Sequence, residues 1–79
     1  MNKKIYHDVI SGKSDYNIKY SDLQNLILEL GFEFKRQRGS HTIYYHSGIN
    51  ELLTLQKDGS KAKGYEVKQL RNIIIKHNL

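Results

Sequence analysis

The sequence predicts an α+β fold in which a three-stranded antiparallel sheet is covered on one face by helices. Two amphipathic segments with a helical period lie near residues 21–30 and beyond residue 65, and three short strand-like segments lie between them. A Gly-Ser pair between the first two strands fits a two-residue hairpin loop. A chain of 79 residues has room for one domain, so the whole of 1–79 is assigned to it.

The helices before the sheet are predicted from apolar spacing and from residues that begin or end helices. A short helix is expected over 1–10, ahead of a polar loop. The next helix, over 21–30, has clearer boundaries. Ser21 is expected to cap the first turn of this helix, and Gln24, three residues later, completes a capping-box pattern. Gly31 is expected to take the left-handed conformation that ends the helix. The order of elements is therefore α-α-β-β-β-α.

The rest of the chain predicts three strands, a basic loop and a closing helix. Gly59, Gly64 and three lysines make the segment before the last helix a flexible loop. The apolar period of the closing helix begins after Tyr65, and its cationic C-terminus suits the helix dipole. The predicted strands cover residues 32–38, 41–46 and 51–56. The predicted loop covers 57–64, and the closing helix runs from Tyr65 onward.

The register of the first hairpin follows from counting outward from Gly39-Ser40. This register pairs Arg38 with His41, Arg36 with Ile43, and Phe34 with Tyr45. It also places all six side chains on one face of the sheet. We expect the Phe34–Tyr45 end of that face to join the core. The turn end then forms a cationic rim of the kind that holds phosphate oxygens.

Charge and composition narrow the class of protein. The net charge is +5, and it is uneven: residues 1–34 hold four bases and five acids, whereas 35–79 hold nine bases and three acids. A basic half on a small domain favours a polyanionic partner such as nucleic acid, although lysines also serve solubility alone. There is no Cys and no apolar run of membrane length. The four His show no familiar metal spacing. We therefore expect a cytoplasmic protein without a metal, a cofactor or a membrane partner.

A histidine on a cationic rim is suited to RNA cleavage. RNA carries its own nucleophile, the 2′-hydroxyl, so cleavage needs a base for the 2′ proton, an acid for the leaving 5′ oxygen and cations for the phosphorane. Imidazole is the side chain best matched to the first task near pH 7. His41 is the candidate base, and its general acid stays open. The alternative is that a His beside a tight turn is an ordinary surface residue.

At this point the sequence resembles the HicA toxins, small mRNA interferases of toxin–antitoxin modules, over Tyr20 to Leu79. The resemblance implies a fold like the double-stranded-RNA-binding domain and a metal-independent endoribonuclease whose one essential residue is His41. Many members have a second His where this chain has Thr42, and residues 1–19 extend beyond the family core of 20–79. The matching segments are Leu30-Gly31-Phe32, Arg38-Gly39-Ser40-His41, the Lys-rich loop and Val67-Lys68-Gln69-Leu70-Arg71-Asn72-Ile73-Ile74.

The resemblance also implies partners. They are single-stranded mRNA and a HicB-type antitoxin that occludes the histidine and the basic surface, so the toxin is expected to be a monomer when free and part of a hetero-oligomer when inhibited. We expect the RNA to be contacted by Arg36, Arg38, Ser40, Lys57, Lys61 and Lys63. Two other hypotheses stay open: a non-catalytic RNA-binding module of the same fold, and a protein whose basic face only docks an acidic partner.

Overall fold

The computed structural model describes residues 2–79. Three of its strands form an antiparallel sheet in the order β1-β2-β3, and two short strands pair separately. The α-β-β-β-α arrangement like that of the double-stranded-RNA-binding domain is confirmed, with one further helix ahead of it. The elements are α1 (Lys3–Ser11), α2 (Tyr20–Glu29), β1 (Glu33–Arg38), β2 (His41–His46), β3 (Glu51–Leu55), β4 (Lys57–Asp58), β5 (Lys61–Ala62) and α3 (Gly64–His77).

The core lies between the helices and one face of the sheet. Alternation along β2 and β3 sends Tyr44, Leu53 and Leu55 toward the helices, where all three are buried. The other face keeps Leu52 about half exposed (54%), so that face stays open to solvent. The core residues that come from the helices are Ile5, Val9, Leu23, Leu26, Ile27, Val67, Leu70, Ile73 and Ile74.

The start of α2 differs from the predicted capping box. The helix begins at Tyr20, and Lys19 occupies the N-cap position without a side-chain capping bond. The backbone N–H of Tyr20 donates instead to the carbonyl of Ser60 at 2.9 Å. A distant hairpin therefore satisfies the first turn, and the predicted roles of Ser21 and Gln24 as a capping pair are wrong.

The segment predicted as a flexible loop is instead a short hairpin. Lys57 pairs with Ala62 and Asp58 with Lys61, around a turn in which Gly59 has φ +64°. The N–H of Ala62 donates to the carbonyl of Ile18 at 2.9 Å, and its side chain is buried. Because its strands are two residues long, hydrophobic periodicity could not reveal this hairpin.

The predicted register of β1 and β2 is confirmed at the turn and wrong beyond it. Arg38 pairs with His41 and Arg36 pairs with Ile43, as expected. A register shift between Phe34 and Arg36 then places Phe34 opposite Tyr44. Phe34 therefore lies on the same face as Tyr44 and contacts its ring edge-on, with centroids 6.1 Å apart. It is Tyr44, not Tyr45, that is buried in the core, and Phe34 stays 56% exposed on the edge strand. A β-bulge of this kind leaves no signal in apolar alternation.

Helix α1 and the loop after it are tied to α3. Tyr6 Oη donates to the carbonyl of Leu79 at 2.7 Å. The guanidinium of Arg71 makes a bidentate ion pair with Asp15, at 2.8 and 3.1 Å, and also donates to the carbonyl of Val9 at 3.1 Å. These long-range bonds hold the N-terminal segment against the last helix. Within residues 2–79, none of the helices has the length and hydropathy required to cross a bilayer.

Candidate functional site

The turn between β1 and β2 places His41 at the tip of the sheet. Gly39 has φ +60° while Ser40 keeps a negative φ, the pattern of the type II′ turn that the sequence predicts. Gln37 Nε2 donates to the carbonyl of Gly39 at 3.1 Å and so fixes the turn from the β1 side. His41 is the first residue of β2, and its ring is exposed to solvent.

Two guanidinium groups share the open face with this imidazole. Arg38 is the direct cross-strand partner of His41, and Arg36 pairs with Ile43, two residues along the same face. Both arginines are exposed. Neither guanidinium forms a hydrogen bond or an ion pair with another residue in 2–79. Their charges are therefore free to meet an anion beside His41.

A hydrogen-bonded chain behind the turn was not predicted. Gln56 Nε2 donates to Ser40 Oγ at 3.1 Å, and Lys63 Nζ donates to Gln56 Oε1 at 3.4 Å. The buried carboxylate of Glu66 accepts from the N–H of Gln56 at 2.6 Å and from the N–H of Lys63 at 3.2 Å. The spacing of Lys63 and Glu66 at the start of α3 is the only feature of the sequence that indicates these hydrogen bonds. These bonds hold the residues on the β3 side of the turn in place.

Burial raises the pKa of the Glu66 carboxyl above its ordinary value. The two backbone hydrogen bonds and the charges of Lys63 and His41 act in the opposite direction and offset part of this effect. His41 is thus close enough to this carboxylate to interact with it electrostatically. The carboxylate itself is sealed from solvent, with 0% exposure, so it supports the turn from behind.

The six residues expected to contact RNA do not form one cluster. Arg36 and Arg38 lie on the open face, and Lys61 is exposed on β5. Lys57 Nζ lies 5.5 Å from the ring centroid of Tyr20, on the helix side of the sheet. The remaining two, Ser40 and Lys63, belong to the hydrogen-bonded chain behind the turn.

The other histidines have structural partners or lie elsewhere. His46 Nε2 bonds the carbonyl of Leu30 at 3.0 Å, and its Nδ1 accepts from the N–H of Gly48 at 3.1 Å. His77 bonds Glu51 at 2.7 Å, a contact that lowers the pKa of that carboxyl. His7 is exposed on α1. In the described part of the chain, no group of three or more His, Cys, Asp or Glu is arranged to hold a metal ion.

A cavity of about 350 Å³ adjoins the same turn on its other side. It lies where α2 and β4 meet the end of the sheet. Tyr20 Oη donates to Thr42 Oγ1 at 3.4 Å across it, and burial raises the pKa of this phenol. The sequence predicts a functional role for only two of the six residues that line the cavity, Ser40 and Lys57. The lining residues are Tyr20, Gln24, Gln37, Ser40, Thr42 and Lys57.

The fold and the exposed cationic turn define a small basic domain of the double-stranded-RNA-binding-domain-like class. A family model described as the HicA toxin of bacterial toxin–antitoxin systems matches residues 20–78. Because the match covers most of the chain, this protein belongs to the HicA toxin family and is the toxin of a toxin–antitoxin module. Helix α1 lies outside the matched range. Neither a curated protein nor a solved structure gave a match to the chain.

Proposed function

We propose that this toxin is a metal-independent endoribonuclease that cleaves mRNA and arrests translation, with His41 as its single catalytic side chain. The observation that carries the proposal is the exposed imidazole at the tip of the β1–β2 turn, directly opposite Arg38 and on the same face as Arg36. The other three histidines lie away from this arrangement. The family assignment supports the same activity.

The reaction needs one base and a cationic surface. The neutral imidazole of His41 accepts the proton of a 2′-hydroxyl while the 2′ oxygen attacks the adjacent phosphorus. The bond from phosphorus to the 5′ oxygen breaks, and the leaving oxygen takes a proton from water. The hydroxide that remains takes the proton from the imidazolium of His41, which regenerates the neutral base. The products are a 2′,3′-cyclic phosphate and a free 5′-hydroxyl. The nucleophile belongs to the substrate, so the protein contributes proton transfer and charge stabilisation.

Arg36 and Arg38 are suited to bind the reacting phosphate. A guanidinium donates two parallel hydrogen bonds to phosphate oxygens, and these two groups have no competing acidic partner among residues 2–79. Lys57 and Lys61 carry further positive charge on the β4–β5 hairpin and are suited to contact the RNA backbone. Lys63 and Ser40 act through the position of the turn.

The partner in the module is proposed to be a HicB-type antitoxin that covers His41 and the open face of the sheet. The exposed cations and the half-exposed Leu52 on this face suit a partner surface with acidic and apolar groups. The free toxin is then a monomer, and the inhibited form is a hetero-oligomer. We place both in the cytoplasm, where mRNA is translated.

The test is cleavage of single-stranded RNA in a chelating buffer by the wild type, His41→Ala and His7→Ala. His7 is an exposed histidine on α1 and serves as the matched control. We expect the wild type and His7→Ala to cleave equally and His41→Ala to lose cleavage while keeping its circular dichroism spectrum and melting temperature. Cleavage by a folded His41→Ala protein, or cleavage that requires Mg²⁺, would overturn the proposal.

A non-catalytic RNA-binding module is the second candidate, and the fold favours it because the double-stranded-RNA-binding domain holds RNA by shape without cutting it. In that case all three proteins bind RNA with similar affinity and leave it intact. Substitution of Lys61 would weaken binding, and substitution of His41 would leave it unchanged. The same set of variants therefore separates the two functions.

A further inference from the structure

We propose that the cavity beside the Gly39–Ser40 turn is the binding pocket for one nucleobase of the RNA, next to the scissile phosphate. The inference deepens the proposed function and rests on it. The cavity and His41 lie on opposite sides of the same turn: Ser40 lines the cavity, and the next residue carries the imidazole. A single strand that crosses the turn can therefore place a phosphate on the open face and an unstacked base on the other.

The walls of the cavity carry the groups that read a base edge. Gln24 Nε2 donates to Tyr44 Oη at 2.9 Å, and Gln37 Nε2 donates to the carbonyl of Gly39 at 3.1 Å. Each bond uses one N–H and holds the carboxamide in place, leaving its oxygen and its second N–H for a ligand. A fixed carboxamide pairs with the adjacent donor and acceptor of a nucleobase, as glutamine does with adenine.

The rest of the lining favours a nucleotide over a cation. None of the six lining residues is acidic, and Lys57 brings a positive charge over the ring of Tyr20. The hydroxyl groups of Ser40 and Thr42 add further donors. A volume of about 350 Å³ is at the lower end of the range for small-ligand sites, which suits one base and excludes a duplex.

The test uses the full-length His41→Ala protein, so that RNA is not cut during measurement. Four heptauridine-based RNAs that differ only in the central base are titrated while the side-chain amide signals of Gln24 and Gln37 are followed by NMR. We expect these signals to shift and one base to bind about tenfold more tightly than the weakest. Gln37→Leu, added to this protein, should remove the difference between bases, whereas Gln69→Leu, a change at an exposed residue of α3, should retain it.

The outcomes separate this inference from the proposed function. Unmoved glutamine signals with equal affinity for all four RNAs would overturn the pocket, even if the wild type cleaves RNA. Base-selective binding that depends on Gln37 would uphold the pocket, even if the wild type leaves RNA intact. Binding that is base-selective but indifferent to Gln37→Leu would place the selectivity elsewhere and would also overturn it.

Discussion

Gly31→Ala should destabilise the protein far more than an ordinary loop substitution, because two penalties coincide there. Gly31 joins α2 to β1 with φ +107°, a conformation that costs an L-residue about 1–2 kcal/mol. A Cβ at this position would also lie 2.5 Å from His46 Nε2. That ring cannot retreat freely, because it bonds the carbonyl of Leu30 at 3.0 Å and packs edge-on against Phe32 with centroids 5.2 Å apart.

The loss of the His46 hydrogen bond adds about 1 kcal/mol, so Gly31→Ala should lower the free energy of unfolding by about 2–3 kcal/mol. Gly59→Ala is the matched control, since Gly59 has φ +64° but a Cβ there would meet no atom within 4 Å. The control should lose about 1 kcal/mol. Urea titration measures both values, and the melting temperature should fall by about 4–8 °C per kcal/mol.

A double-mutant cycle isolates the steric part of this penalty. In a His46→Ala background the cost of Gly31→Ala should fall to that of backbone strain alone, because the atom that the new Cβ meets has been removed. Equal losses for Gly31→Ala and Gly59→Ala in the wild-type background would refute the argument. An unchanged cost of Gly31→Ala in the His46→Ala background would refute it as well.

Three further predictions concern charged groups. Burial raises the pKa of Glu66 above its ordinary 4.5, so the folded state binds that proton more tightly than the unfolded chain does. The contribution of Glu66 to stability is complete below about pH 4.5 and is lost as the pH rises through the folded pKa. Glu66→Gln does not titrate, so its free energy of unfolding, measured by urea titration, should rise relative to that of the wild type between pH 4 and 7. A difference between the two proteins that stays constant with pH would contradict this. Asp15→Asn should cost about 2 kcal/mol because it breaks the largely buried bidentate ion pair with Arg71. Asp8→Asn, at an exposed ion pair within α1, should cost under about 0.5 kcal/mol, and equal costs would contradict a stabilising role for the Asp15–Arg71 pair. Replacing both Arg36 and Arg38 by Gln should reduce the slope of log affinity against log salt by about 1.4 for an uncleavable 2′-O-methyl RNA, and an unchanged slope would remove both from the phosphate surface.

The sequence predicted the parts of the site that depend on local chemistry. A Gly-Ser pair between two strand-like segments determined the turn and therefore the pairing of Arg38 with His41. The order of the main elements was also predictable, because helical and strand periods differ. What failed was set by contacts between distant segments. The cap of α2 came from Ser60, and the register shift before Arg36 placed Phe34 opposite Tyr44 instead of Tyr45.

The cavity was even less predictable from the sequence than the helix cap and the register shift. Its lining comes from α2, β1, the turn, β2 and β4, so no spacing within one segment could have indicated it. The sequence predicts Gln24 as part of a helix cap and marks Thr42 only as the position where many family members have a second histidine. Their shared role becomes visible when the helix and the sheet are packed together. Local patterns thus located the histidine, and tertiary structure located the groups around it.

The most direct measurement uses a DNA oligonucleotide that contains one ribonucleotide, incubated with the toxin and a chelator and analysed by mass spectrometry. If His41 removes the 2′ proton, the strand breaks at the ribonucleotide alone and leaves a 2′,3′-cyclic phosphate, and His41→Ala leaves it intact. A break at a deoxynucleotide, a 5′-phosphate product, or equal cutting by His41→Ala would contradict the account.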